Sequence, residues 1–274
     1  FRRVLFRSAE RNGREFRMFH RETDMAKVAR NRNAIFDLHA AALAWMDEYT
    51  GIPYPFDKFD FVAIPSFQFS GMEHPGAVLY SAGALLLDES ATQNELLDRA
   101  NVIAHETAHM WFGDLVTMRW FNDVWMKEVF AGFMAAKIVN PAFPQVNHDL
   151  RFLLSNHPGA YYVDRSAGTN AIRQELANLE DAAQLYGPII YQKAPIAMRQ
   201  LEMITGEQEF RSGLQEYLKT YGYGNASWID LVRILDDRTP QDLAAWSHAW
   251  IEARGRPEFA ANVDVQRDRV RHLT

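Results

Sequence analysis

Apolar side chains recur at helical spacing through Leu96, Ala100, Ile103, Ala104, Ala108 and Trp111, the pattern of a helix that turns one face inward. The pattern begins at Thr92, three residues before Glu95. At that spacing hydroxyl and carboxylate satisfy each other's free backbone amides, so a helix is predicted from Thr92 to about Gly113. The same period returns in NDVWMKEVFAGFMAAKIV (122–139), through Val124, Met126, Val129, Phe133, Ala136 and Val139. Upstream, residues 23–50 read as one long helix stopped by Gly51, and Pro53 and Pro55 keep the chain after it extended. The segments FDFVAIP (59–65), AVLYS (77–81) and ALLLDE (84–89) read as strands. Beyond residue 139 the prediction is mostly helical. Pro141 and Pro144 interrupt the chain, a short helix follows near 145–156, a loop covers 157–182, and helix signals resume at 186–205. Thr205 with Gln208 and Ser227 with Asp230 read as further capping boxes, and Thr239 with Pro240 opens a helix running through Trp250. Strands first and helices later make an α+β fold, a small mixed sheet followed by a predominantly helical lobe.

Composition narrows the classes. The chain has 274 residues, 48% hydrophobic and 23% charged, a balance that suits a soluble globular protein with a large core. A formal net charge of -6 without a basic cluster argues against nucleic acid as a partner. No stretch is long and apolar enough to span a bilayer, so no membrane partner is expected. The absence of cysteine excludes disulfides and thiolate ligands, and leaves the compartment open between cytoplasm and periplasm or exterior. Residues 1–22, which fit no capped element, are expected to be a non-native or linker remnant. Residues 23–255 are expected to form the catalytic domain. Residues 256–274, whose strand-like alternation has no partner in the chain, are expected to begin a following β domain with flanking domains removed.

The chemistry concentrates in NVIAHETAHMWFG (101–113). His105 and His109 are four apart, so their rings lie one above the other on one helical face, with Glu106 about a quarter turn away. Two imidazoles and a neighbouring carboxylate suit a tetrahedral zinc whose water must also be deprotonated. The spacing alone also arises by chance in amphipathic helices, so a third ligand decides. Glu128, amid tryptophan and phenylalanine in the second helix, is that candidate, because a carboxylate there would be costly unless compensated. Between the strands, FSGMEHPGA (69–77) brackets Glu73 with glycines that permit close backbone approach, a pattern that by itself is also an ordinary turn.

Taken in order, GMEHPGA, HETAH, Glu128 in WMKEVFA and YQKA (191–194) resemble the zinc aminopeptidases related to aminopeptidase N and leukotriene hydrolase, with 18 residues between His109 and Glu128. The resemblance covers about residues 23–255 and implies a thermolysin-like catalytic domain of the gluzincin type, a metallopeptidase with one zinc ion. It further implies that His105, His109 and Glu128 hold the zinc and that Glu106 is the general base. Tyr191 would stabilise the tetrahedral intermediate. Glu73 would hold the free α-ammonium of a peptide substrate, which would lie along the backbone of Gly71 and Met72. The implied reaction is hydrolysis of the N-terminal peptide bond of peptides with a free N-terminus.

The chain departs from the family pattern at His74, where asparagine is usual, at Met110, and at Val129 and Ala194, which replace glycines. None is a ligand or the base, so the expected effect is on pocket shape. Family members also take an amine-binding residue from a preceding β domain outside this chain. Three alternatives stay open. The helix pair alone also fits a zinc endopeptidase, one branch of the family hydrolyses an epoxide, and a catalytically weak fragment would act as a zinc-stabilised binding domain. Met72, Met110 and Met126 suit either a substrate pocket or simple core contacts.

Overall fold

The computed structural model describes residues 4–255 and 260–274. The long helix α1 (Met25–Thr50) forms as its sequence predicts. The Asp24 side chain accepts from the amides of Ala26 and Lys27, and Gly51 closes the helix at φ 67°, the left-handed conformation that glycine adopts without penalty. In front of it lies a five-stranded sheet of order β1-β2-β3-β5-β4, with β1 (Leu5–Arg11), β2 (Arg14–His20), β3 (Phe59–Ile64), β4 (Gly71–Met72) and β5 (Ala77–Ser81). β3 runs parallel to β2 and β5, while β1 and β4 are antiparallel edges, so the sheet is mixed as expected.

The first two strands correct the reading of residues 1–22 as a remnant. Residues 5–20 form a hairpin of the sheet, turned at Asn12 and Gly13, both of which have positive φ. Phe16, Met18 and His20 alternate inward from β2 and are buried, which ties the hairpin to the core. A second correction concerns residues 84–89. Three consecutive leucines carry no period that separates strand from helix. The chain instead makes the one-turn helix α2 (Ala82–Leu85) and then a loop held by Asn31 of α1. Asn31 donates to the Leu87 carbonyl at 2.8 Å and accepts from the Leu87 amide at 3.3 Å and from Arg99 at 2.7 Å, so a buried amide is satisfied on every side.

Helix α3 (Gln93–Ala108) starts at the Thr92–Glu95 capping box, with both reciprocal bonds made. A short piece then includes β6 (Val116–Met118) and leads to α4 (Trp125–Val139), which lies against α3. Beyond these, α5 (His148–Asp164) extends through the first part of the expected 157–182 loop, since Pro158 is accommodated inside it. A π-helical turn (Ile189–Lys193) then runs into α6 (Ala194–Thr205), followed by α7 (Glu207–Tyr221), β7 (Gly224–Ala226), α8 (Trp228–Asp236) and α9 (Leu243–Ser247). The Ser227–Asp230 capping box is present. The Thr205–Gln208 box is not: Thr205 ends α6, and Gly206 at φ 90° breaks the chain before α7. The last helix starts later than predicted, at Asp242, whose side chain accepts from the Ala245 amide at 2.8 Å. Of the expected 256–274 segment, residues 256–259 lie outside the described residues. The rest pairs with itself as the hairpin β8 (Val263–Gln266) and β9 (Arg269–Leu273), exposed throughout. No helix among the described residues is long and apolar enough to cross a membrane.

One buried polar contact joins α1 to the sheet beneath the cleft. The His39 ring stacks on Phe61 with centroids 4.2 Å apart, bonds through Nδ1 to the Ile35 carbonyl at 2.8 Å, and meets the Tyr80 hydroxyl through Nε2 at 3.1 Å. Burial keeps this ring neutral and lowers its pKa to about 4, against a weaker opposing pull from the Ile35 bond. The unfolded chain takes up the proton below about pH 6.5, whereas the folded ring resists until about pH 4. The resulting stability is complete above pH 6.5 and is lost as pH falls towards 4, by about 3 kcal/mol. Denaturant unfolding between pH 4 and 8 should therefore show a smaller acid loss for His39→Gln than for the natural chain. Identical pH slopes would contradict this.

Candidate metal centre and cleft

Each side chain of the site arrives on an element whose local sequence explains its place. The last turn of α3 carries His105 and Glu106, and His109 caps it, so helical spacing sets the two imidazoles on one face. The first turn of α4 carries Lys127 and Glu128. The link between the helices is tightly held. The Trp111 indole donates to the Ile52 carbonyl at 3.0 Å, and β6 pairs in parallel with β7. Asp123, buried just before α4, binds Arg173 at 2.6 Å and accepts from the Trp228 amide at 3.3 Å. These contacts fix the height at which Glu128 faces α3.

The result is a compact donor set. Ligand atoms of His105, His109 and Glu128 all lie within 4.8 Å of one another. The two Nε2 atoms are 3.1 Å apart, and Glu128 Oε2 is 3.5 Å from His105 Nε2 and 3.8 Å from His109 Nε2. A tetrahedral ion with bonds of about 2.0–2.1 Å separates its ligand atoms by roughly 3.3 Å, so the residues fit a zinc ion. His109 Nδ1 lies 3.1 Å from the Phe112 carbonyl; donating there leaves Nε2 as a lone pair directed at the other two.

Charge supports the same fit. Burial raises Glu106 to about 7; the charge on His105 opposes this, and the carboxylates of Glu73 and Glu128 add to it. Burial and the neighbouring His105 lower His109 to about 4. For Glu128 burial acts upward, yet the bond from His105 and the charges of His109 and Lys127 prevail and hold it down at about 2. Nearby Asp114 is raised to about 8 by burial and by Glu73. Several carboxylates thus share a half-buried space with a single lysine, a deficit of positive charge that a divalent cation would make good.

The surrounding cleft has a volume of about 1070 Å³ and is lined by all eight residues singled out in the sequence: Gly71, Met72, Glu73, His105, Glu106, His109, Glu128 and Tyr191. Glu73 follows the edge strand β4, and Tyr191 projects from the π-helical turn with its ring 6.3 Å from that of Tyr186. Sequence reasoning missed Lys127, which pairs with Glu73 and reaches Glu128 Oε1 at 3.3 Å. Its signal was available, since Lys127 and Glu128 are the only charges between Asp123 and Lys137. Tyr186, which lines the cleft, and Asp114, buried near Glu73 and Lys127, were missed as well, because only the folded chain brings them there.

The model of the peptidase family M1 domain matches residues 35–250. The chain belongs to peptidase family M1. It is 34% identical over 238 residues to probable aminopeptidase 2 of Sulfurisphaera tokodaii, covering 87% of this chain and 30% of that protein. Aminopeptidase N of Streptomyces lividans is 33% identical over 243 residues, 85% of this chain and 28% of its own length. Leucyl aminopeptidase of Saccharolobus solfataricus is 33% identical over 226 residues, with 82% and 29% covered. The chain thus spans under a third of the length of these M1 relatives.

Within this M1 domain, Gly71 shapes the site by lacking a side chain. A Cβ there would overlap Oε1, Cδ and Cγ of Glu106, so the backbone of β4 doubles as a wall for that carboxylate. Gly71→Ala should displace Glu106 while leaving His105, His109 and Glu128 able to bind one zinc ion. The expected result, should Glu106 take part in the chemistry, is unchanged metal content with peptide hydrolysis reduced at least tenfold, the cost of a small misplacement. Full activity in Gly71→Ala would overturn this role for the glycine.

Proposed function

We propose that this chain is the catalytic unit of a zinc-dependent aminopeptidase, in which His105, His109 and Glu128 hold one zinc ion. The observation that carries this reading is the convergence of those three donors beside Glu106 and Glu73 in one cleft. When bound, zinc supplies a water acidified towards neutrality and polarisation of the scissile carbonyl.

The chain's own residues do the rest. Glu106, next to His105 and walled by the β4 backbone at Gly71, is placed to take a proton from the attacking water and to return it to the leaving amine. Tyr191 keeps its phenol proton, because burial and the charge of Glu128 raise its pKa. It can therefore donate a hydrogen bond to the oxyanion as charge develops there. Glu73 would pair with the substrate's α-ammonium and so restrict cleavage to the first peptide bond. The edge strand β4 offers the backbone of Gly71 and Met72 to an extended peptide.

One observation favours the second reading, a zinc endopeptidase. Lys127 already neutralises part of Glu73, which weakens its hold on an ammonium. The aminopeptidase names of the M1 relatives favour the first. The relatives' greater length supports flanking domains as partners of this unit, as part of a longer polypeptide.

The direct test of the mechanism is Glu106→Gln. The amide keeps the shape and cannot accept the proton. The variant should retain one zinc ion per chain while kcat falls by about 10²- to 10⁴-fold, the range of general base catalysis. Turnover close to that of the natural chain would remove Glu106 from this role.

A further inference from the structure

Tyr191 stands on a turn that needs outside support. The π-helical turn of residues 189–193 inserts an extra residue into the helical register, a distortion that often accompanies functional sites. Ile189 and Ile190 are buried on one side, while Tyr191 is 48% exposed to the cleft. The two residues after Tyr191 both meet α5, Lys193 through an ion pair and Gln192 through packing alone. Lys193 and Asp164, the last residue of α5, form a buried ion pair at 2.9 Å, and Thr169 adds a hydrogen bond to the same Asp164 oxygen at 3.1 Å. Gln192 lies against Gly159, one turn and a half earlier on α5.

That second contact depends on the absence of a side chain. A Cβ on Gly159 would overlap Oε1, Cδ and Nε2 of Gln192, all beyond its Cγ. Pro158, immediately before, brings no amide donor to the helix, so α5 departs from a continuous ladder at the place where Gln192 seats. Proline and glycine adjacent inside a helix carry an intrinsic cost, and here they open a notch of the right size.

We propose that α5 is the positioning element of Tyr191: Gly159 is the notch that seats Gln192, Asp164 anchors Lys193, and the two grips aim the Tyr191 hydroxyl into the cleft. The proposal rests on the reading of Tyr191 as the donor to the oxyanion. Gly159 and Gln192 touch no substrate; they act through Tyr191.

The test is a set of zinc-loaded variants studied by crystallography and by peptide hydrolysis. In Gly159→Ala the Tyr191 hydroxyl should shift by about 1 Å or more, and kcat should fall roughly tenfold or further while KM and zinc content hold. Adding Gln192→Ala removes the overlapping atoms, so the double variant should return to the position and kcat of Gln192→Ala alone. In a Tyr191→Phe background Gly159→Ala should cost nothing further, since it has no hydroxyl left to misplace. Gln192→Phe overfills the same notch from the other side and should repeat the effect if Gly159→Ala does not fold. A Tyr191 hydroxyl unmoved in both overfilled variants would overturn the proposal. So would an equal kcat loss with and without that hydroxyl. If Tyr191→Phe itself leaves kcat intact, the oxyanion reading fails, and the crystal structures still decide whether α5 positions the ring.

Discussion

Everything in this fold bends around one electrostatic constraint. Carboxylates at Glu73, Glu106 and Glu128 and two imidazoles are gathered in a half-buried cleft, where Lys127 pairs with Glu73 and Glu128. Like charges at that depth repel and lose hydration, and such a cluster persists only where the surrounding framework prevents it from moving apart or where a cation binds in it. The opposite displacements of Glu106 towards 7 and Glu128 towards 2 express that constraint.

The framework that resists the repulsion is assembled from ordinary parts. The Thr92 capping box fixes where α3 begins, and helical spacing then sets the histidines. Trp111, Asp123 and the β6–β7 pair hold the link that returns Glu128 to them. The sheet contributes its β4 edge, where Gly71 lets the backbone approach Glu106 closely enough to serve as its wall. On the far side α5 holds the turn that carries Tyr191. Four distant stretches of chain therefore meet at one cleft, each held by contacts outside it.

What could be read from the sequence follows from how local each signal is. Capping boxes at Thr92 and Ser227 and the end of α1 at Gly51 rest on contacts a few residues apart, and they were legible. The histidine pair was legible for the same reason, and Glu128 through its apolar surroundings. The N-terminal hairpin was missed although Asn12-Gly13 between alternating residues is a strong turn signal, because Arg and Glu on its outward face hide the pattern of Phe16 and Met18. Leu85–Leu87 carried no period, and Thr205 imitated a cap where Gly206 breaks the chain. The pairing of Lys127 with Glu73 and the seat of Gln192 on Gly159 join residues tens of positions apart, so no local pattern announces them.

Whether a single zinc ion serves a site that counts from the substrate's amine is decided by one comparison. Amino-acid p-nitroanilides with free and with acetylated amines would be offered to the chain, with its zinc content measured in the same sample. One zinc ion per chain and cleavage confined to the free amines are expected. Equal cleavage of acetylated substrates, or activity undiminished after zinc is stripped by a chelator, would contradict this.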